Sequence, residues 1–221
     1  MHRIRICSLL LAGSLTLPTF SAVVYDESVS GDFSSSGLAP TSVGLLEGSN
    51  QILGTQGSEA AAVRDYVTIT VPEGLLLSAI TVLDTSLGTR GFLGIQAGSQ
   101  LTLPPSTMTA AGLLGWWHYT PADINANILP LIGTPANGST GFTPPLSAGN
   151  YTLWIQDSSP GLFSYGFDLQ LQAVPEPATW ITSLAAFAGV ALLRLRRRSP
   201  DAAARRTFGH LRFVFKRRSR A

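Results

Sequence analysis

The chain has 221 residues, 45% of them hydrophobic, which suits one globular domain with appended segments and argues against disorder throughout. Its formal net charge of +2 hides an asymmetry, because residues 23–173 hold eleven acidic residues and only Arg64 and Arg90 as basic ones, a net charge of 2 − 11 = −9. This segment is therefore a poor partner for nucleic acid, since binding phosphates depends on Lys and Arg.

The N-terminus has the layout of a secretory signal peptide. Two arginines precede an apolar run over 6–17, and small residues follow it. We predict a signal helix over 1–21, cleaved after Ser21, and an exported domain over 22–173. The only cysteine, Cys7, lies within the signal, so the mature chain would have no thiol. That excludes disulfides, thiol catalysis and cysteine metal ligands.

Most of the exported domain shows the residue patterns of β-strands. The segments with this pattern include TSVGLLEGSNQILGTQG, DYVTITVPEG, LLLSAITVL, RGFLGIQAGS, GNYTLWIQDSS and YGFDLQLQA. In the last segment the apolar residues alternate with polar ones, as in a strand with one buried and one solvated face: Tyr165, Phe167, Leu169 and Leu171. About eight short strands separated by Gly and Pro predict an all-β fold, an antiparallel, jelly-roll-like β-sandwich.

One short helix and one aromatic cluster interrupt this series. The helix is predicted at YTPADINANILPLIG, with Thr120 as its N-cap. Immediately before it, GWWHYTP brings together three large aromatic residues, Trp116, Trp117 and Tyr119. Alternation along a strand would turn Trp116 and His118 to one face and the other two to the opposite face. One face is expected to pack in the core, and the three aromatic residues are a candidate platform for a sugar ring.

The exported domain offers little for catalysis. His118 is its only histidine, and neither a cysteine nor a Gly-x-Ser-x-Gly turn accompanies it, so we predict no enzymatic activity and no catalytic residue. The carboxylates are interpreted as a solvated acidic surface. We predict no metal site and no cofactor, but one alternative stays open, in which Ca²⁺ is held either by Asp26, Glu27 and Asp32 or by Asp65 with Asp84.

The segment 174–198 has three parts in order. Val174, Pro175, Glu176 and Pro177 come first, an uncharged stretch over 178–193 follows, and the last part is a group of arginines, Arg194, Arg196, Arg197 and Arg198. A helix over this stretch would measure about 24 Å. We predict one transmembrane helix over 178–193, with the arginines stopping transfer on the cytoplasmic side of the inner membrane.

These three parts together resemble the PEP-CTERM sorting signal of Gram-negative bacteria that make exopolysaccharide. The resemblance implies recognition of Val174 to Pro177 by an exosortase, a membrane-embedded cysteine transpeptidase. That enzyme would remove the helix and pass the domain to the cell surface or the biofilm matrix. The domain would first lie in the periplasm, held transiently at the inner membrane.

The exported domain carries a second resemblance. VVYDESVSGDFS, GSNQILGTQG, RDYVTITVPEG and LSAGNYTLWIQD resemble exported PEP-CTERM proteins whose body is similar to the pre-peptidase C-terminal β-sandwich of secreted bacterial peptidase precursors. Such domains are accessory, so the resemblance implies no catalytic residue. The chain departs from the PEP-CTERM pattern because it continues over 199–221. We interpret this segment as a basic cytoplasmic tail, and contact with the anionic leaflet is the alternative.

Two functions follow from these observations. We expect a non-enzymatic protein that an exosortase sorts to the cell surface or the exopolysaccharide matrix. The alternative is a module that binds extracellular polysaccharide or Ca²⁺ and leaves the cell by the same route.

Overall fold

The computed structural model describes residues 21–58, 62–83, 89–157 and 160–175. About half of them lie in nine strands: β1 Ser21–Asp26, β2 Thr41–Gly44, β3 Gly48–Ser58, β4 Ala62–Val71, β5 Leu75–Val82, β6 Gly91–Ala97, β7 Gly115–Tyr119, β8 Gly149–Gln156 and β9 Gly161–Ala173. The helices among these residues are short: α1 Glu27–Ser30, a 3₁₀ helix Pro121–Asp123 and α2 Leu129–Ile132. No helix in this part of the chain is long and apolar enough to cross a membrane.

Several predicted segments fall outside the described residues. The predicted transmembrane helix 178–193, the stop-transfer arginines and the tail 199–221 are among them, as is the signal peptide apart from Ser21. Ser21 is the first residue of β1 and pairs with Ser49. Cleavage after Ser21 would therefore leave the rest of this strand in the mature domain.

The strands form two sheets. Sheet A has the order β5-β9-β3, with β1 beside β3, and sheet B has the order β2-β4-β8-β6-β7. β3 and β4 pair at Gly57 with Val63 and at Ser58 with Ala62, where the chain passes from one sheet to the other. Buried side chains of both sheets form one core, among them Phe167 from sheet A and Leu93 from sheet B. The predicted all-β architecture with two sheets is thus confirmed.

Two strand pairs differ from the antiparallel prediction. β1 runs parallel to β3, and β2 runs parallel to β4. Neither pair is joined by a hairpin, because α1 and β2 lie between β1 and β3, and β3 lies between β2 and β4. Parallel pairing requires such long connections. The prediction of purely antiparallel sheets is therefore wrong at these two places.

The alternation along β9 is present as predicted, since Tyr165, Phe167, Leu169 and Leu171 are all at most 1% exposed. β4 behaves differently, because Tyr66 and Thr68 on its second face are also buried. The loop 98–114 covers them: Thr68 Oγ1 donates to the Ser99 carbonyl at 3.1 Å. Sheet B is therefore partly buried on its outer face as well as on its inner face.

The predicted helix is divided into two pieces. Thr120 caps the 3₁₀ helix as predicted, and its N–H donates to Asp123 Oδ2 at 2.8 Å. The chain then pairs with β5, because Asn127 Oδ1 accepts from the Ile80 N–H at 3.1 Å. Asn125 has a φ of 63°, which is outside the helical region. A single continuous helix is therefore wrong, and α2 begins separately at Leu129.

Candidate functional site

The outer face of sheet B carries two rows of side chains that cross four strands. Cross-strand pairing defines the first row as Arg64, Gln156, Phe92 and His118. The second row is Tyr66, Trp154, Gly94 and Trp116. The rows are two residues apart on every strand, so both lie on the same face of the sheet.

Three rings from these rows pack around Phe92. We call these four residues the aromatic surface: Phe92, Trp116, His118 and Trp154. The Phe92 ring centroid lies 6.0 Å from that of Trp116 and 5.6 Å from that of His118. It lies 5.1 Å from the Trp154 ring in an edge-on contact. Gly94 makes this packing feasible, because a Cβ at that position would lie 3.1 Å from the Phe92 ring.

Hydrogen bonds orient the two tryptophans of the aromatic surface. Trp116 Nε1 donates to the Ala136 carbonyl at 3.1 Å. Trp154 Nε1 donates to Gln156 Oε1 at 3.1 Å, and Arg64 Nε donates to the same oxygen at 3.1 Å. Both indole rings are therefore held in one orientation. Within the first row, Arg64 is hydrogen-bonded to Gln156, the residue that lies between it and Phe92.

Two hollows adjoin the aromatic surface. The first, of about 260 Å³, lies between the rings of Trp116 and Phe92 and the loop 98–114, and Gln156 and Asn137 add polar groups to it. The second, of about 330 Å³, also touches Trp116 and is lined by Arg90 and Leu131. Among the described residues, no carboxylate lines either hollow. An aromatic wall with a few polar groups is typical of small-ligand sites.

His118 is half-buried at the junction of the two hollows. Burial lowers the pKa of His118, the Gly91 backbone opposes that shift, and the positive charge of Arg90 adds to it. Its Nδ1 atom is buried and has no hydrogen-bond partner within the described residues. Because Nδ1 is buried, a ligand in either hollow would meet the exposed part of the ring rather than this atom.

The predicted platform of Trp116, Trp117 and Tyr119 is divided between the two faces of β7. The predicted alternation is confirmed, because Trp116 packs against His118 on the outer face while Trp117 packs against the main core. Both tryptophans nevertheless line the second hollow, at the edge of the sheet. Tyr119 is 1% exposed, so its place in a common platform is wrong. Sequence reasoning missed Phe92 and Trp154. Both lie in predicted strands, but the local sequence does not indicate that these strands are neighbours in the sheet.

Opposite the aromatic surface, two tyrosines connect the sheets, and we call these contacts the inter-sheet polar pairs. The Tyr165 hydroxyl donates to Asp65 Oδ2 at 2.8 Å, and the Tyr119 hydroxyl donates to Gln56 Oε1 at 2.7 Å. Each pair joins one residue of sheet A to one of sheet B. Gly54 leaves room for this arrangement, since a Cβ there would lie 2.5 Å from the Tyr165 hydroxyl oxygen.

The carboxyl group of Asp65 is strongly perturbed. Burial raises the pKa of Asp65 from its ordinary value of 3.8 to about 8, and the charges of Glu27 and Asp32 add to the shift, while the hydrogen bond from Tyr165 opposes it. Asp65 is 1% exposed. It is therefore mostly protonated at neutral pH, and a neutral carboxyl group is a weak ligand for Ca²⁺.

Two other carboxylates considered for Ca²⁺, those of Asp26 and Glu27, have protein donors. Asp26 Oδ1 accepts from Ser28 N at 2.9 Å and caps α1. Glu27 accepts from Phe33 N at 2.8 Å and from Thr55 N at 2.7 Å. Among the described residues, no three His, Cys, Asp or Glu side chains are grouped for a metal ion. Asp84 lies outside the described residues, so its predicted partnership with Asp65 stays a prediction.

The predicted processing motif begins where the fold ends. β9 ends at Ala173, and the Val174 N–H donates to the Gly74 carbonyl at 2.9 Å. Val174 and Pro175 are exposed, whereas Glu176 and Pro177 lie outside the described residues. The chain divides into two compact units at this point, Met1–Val174 and Pro175–Ala221.

No protein-family model, curated protein or solved structure matches this chain. The likenesses to PEP-CTERM proteins and to the pre-peptidase β-sandwich therefore rest on the sequence segments that carry them. The structure adds the geometry of the aromatic surface and the position at which the folded domain ends, Val174.

Proposed function

We propose that this chain is a non-enzymatic exported protein that an exosortase sorts to the cell surface or the exopolysaccharide matrix. One observation carries the proposal: the compact unit ends at Val174, in the first residue of the Val-Pro-Glu-Pro motif. A protease or transpeptidase needs an accessible, extended segment beside the folded domain. Two prolines restrict the backbone to such a conformation.

The proposal includes the organisation predicted from the sequence. Residues 1–21 are the signal peptide, and 22–173 form the exported domain with a jelly-roll-like arrangement. Residues 178–193 span the inner membrane before processing, and the tail 199–221 stays in the cytoplasm. Arginines precede the first apolar segment, 6–17, and follow the second, 178–193. Because positive residues stay on the cytoplasmic side, this placement supports the proposed topology.

The chain provides its own matched control for the sorting motif. The first three residues of the motif also occur as Val71, the last residue of β4, followed by Pro72 and Glu73 in the turn before β5. Replacing residues 175–177 with alanine should leave the full chain in the inner membrane of the native host. Replacing Pro72 and Glu73 with alanine should leave release unchanged, because that turn is part of the folded domain.

Immunoblotting of membrane and released fractions measures the outcome. Retention of the 175–177 variant, together with release of the 72–73 variant, supports the proposal. Release of both variants at the normal rate would show that the motif is only a linker. A surface form that still contains Arg198 would show that the helix is a permanent anchor.

A second candidate function is favoured by a separate observation. Three rings of the aromatic surface, those of Phe92, Trp116 and His118, lie half-buried on the outside of sheet B and adjoin the hollows, while Trp154 is buried behind them. This geometry suits a polysaccharide-binding module. The Ca²⁺ version of this function has less support, because Asp26 and Glu27 already accept hydrogen bonds from the protein.

A further inference from the structure

We propose that the aromatic surface binds an acidic oligosaccharide, a chain of sugars that carry carboxylate groups. The inference rests on the second candidate function, polysaccharide binding, and is independent of sorting. It adds the position of the site and the charge of its ligand. Three features of the described residues support it: the rings, the polar groups and the placement of positive charge.

The rings supply the surface for the sugar. Trp116 and Phe92 are half-buried, and their ring planes are within 24° of each other, so they present faces of similar orientation. The apolar C–H faces of a sugar ring pack on such aromatic faces, while its hydroxyl groups need polar partners at the rim. Gln156, Asn137 and His118 line the same hollow and supply these partners.

The distribution of charge around the aromatic surface favours a negatively charged sugar. Residues 23–173 contain eleven acidic and two basic residues, and both basic residues adjoin this surface. Arg64 donates to Gln156, and Arg90 lines the second hollow beside His118. No acidic residue of the described part lines either hollow. A strongly acidic domain thus presents its two positive charges where the rings are, which complements an anionic ligand.

The spacing of the arginines indicates an oligosaccharide rather than a single sugar. Arg64 lies on β4, and Arg90 directly precedes β6, with β8 between these strands. At about 4.8 Å between neighbouring strands, the two backbones are on the order of 10 Å apart. Two carboxylates on separate sugar units can therefore face the two arginines across the aromatic surface.

Calorimetric titration of the full chain, purified in a polyoxyethylene detergent that contains no sugar, tests this inference. The probes are tetragalacturonate and its fully methyl-esterified form, which keeps the rings but lacks the charges. We expect binding of the acid, weaker binding of the ester by about tenfold or more, and a lower affinity for the acid at higher salt.

Variants locate the site. Trp116→Ala and Arg90→Gln should each lower the affinity for tetragalacturonate by about tenfold, whereas Trp116→Phe should retain most of it. Arg218→Gln removes the same charge from the C-terminal tail and should have no effect. Arg90 is exposed, so its substitution keeps the test valid even if Trp116→Ala impairs folding.

Each contrary result overturns the inference. Equal affinities for acid and ester would remove the charge selection but leave polysaccharide binding. A loss in Arg218→Gln that equals the loss in Arg90→Gln would place the binding in the tail. Unchanged affinity in both Trp116→Ala and Arg90→Gln would exclude the aromatic surface. No binding of either probe would overturn this inference and the second candidate function, while sorting would still stand on its own test.

Discussion

The two faces of sheet B are built from neighbouring residues and have opposite properties. On the inner face, Asp65 and Tyr119 are at most 1% exposed, and each is hydrogen-bonded to a residue of sheet A. On the outer face, Arg64 and His118 are next to them in the sequence but are only half-buried, and His118 borders both hollows.

This contrast separates structural polar groups from groups available to a ligand. The two tyrosine hydroxyl groups of the inter-sheet polar pairs donate from one sheet to the other, and these pairs are closed to solvent, although Gln56 Nε2 has no partner among the described residues. The outer groups are more accessible, since His118 is half-buried beside both hollows and Arg90 is exposed beside the second. The inner face therefore contributes to stability, and the outer face is where binding is expected.

Removing a core ring should give the largest effect. Phe167 is fully buried and contacts the rings of Tyr119 and Tyr165 at 5.1 and 5.6 Å. Phe167→Ala should lower the free energy of unfolding by about 3–5 kcal/mol. The matched outer variant Phe92→Ala should cost about 1–2 kcal/mol, because Phe92 is half-buried. Urea unfolding followed by circular dichroism measures both, and equal losses would contradict the distinction between the faces.

The raised pKa of Asp65 should make the free energy of unfolding depend on pH. Its pKa is raised to about 8 in the folded chain, so the folded state holds a proton that the unfolded state loses near pH 4. Stability should therefore fall as the pH rises from about 4 to about 8, by at most about 1.4 kcal/mol per pH unit. Asp65→Asn should flatten this slope and stabilise the chain by about 2 kcal/mol at pH 8.

The exposed Glu73 in the turn after β4 supplies the control for this prediction. Glu73→Gln should leave the wild-type slope in place. Thermal melts between pH 4 and pH 9 give the comparison. An Asp65→Asn variant that keeps the full slope would mean that another group determines the pH dependence.

Loss of one hydroxyl group should give a smaller effect. Tyr119→Phe leaves Gln56 Oε1 without its donor in the core, which should cost about 1–3 kcal/mol. Tyr25→Phe removes a hydroxyl that donates to the Gly31 carbonyl at 2.9 Å in an exposed position. That control should cost less than about 1 kcal/mol. If the two variants unfold at the same urea concentration, the inter-sheet bond has no special role.

The smallest effect on stability is expected from the arginines of the outer face. Arg64→Gln and Arg90→Gln should each change the free energy of unfolding by no more than about 0.5 kcal/mol, since neither belongs to the main core. Urea unfolding under the conditions used for the core variants measures this. A loss above about 2 kcal/mol would make these arginines structural and weaken the assignment of the outer face to binding.

Local patterns in the sequence predicted much of the fold. The alternation of β9 and the cap at Thr120 are both present, because each depends on residues close together in the chain. The parallel pairing of β1 with β3 and of β2 with β4 was not predictable in this way. The residue pattern of a strand indicates its buried face but does not identify the strand beside it. For the same reason the sequence did not predict that the loop 98–114 covers Tyr66, because this contact depends on tertiary packing.

The candidate site was only partly predictable. The alternation in β7 correctly separated Trp116 from Trp117, but it gave no reason to add Phe92 from β6 or Trp154 from β8. Those rings meet through strand register, which is set across long stretches of chain. The raised pKa of Asp65 likewise follows from burial between the sheets. The sequence predicted a solvated surface for the carboxylates, which is wrong for Asp65 because it is 1% exposed.

Amide chemical-shift mapping of the ¹⁵N-labelled full chain with tetragalacturonate tests most directly whether the outer face of sheet B is the binding surface. We predict that the largest shifts occur at Phe92, Trp116 and His118 and at the indole N–H of Trp116, with little change around Asp65 and Tyr165. The largest shifts at the inter-sheet polar pairs, or no shifts at saturating tetragalacturonate, would contradict this account.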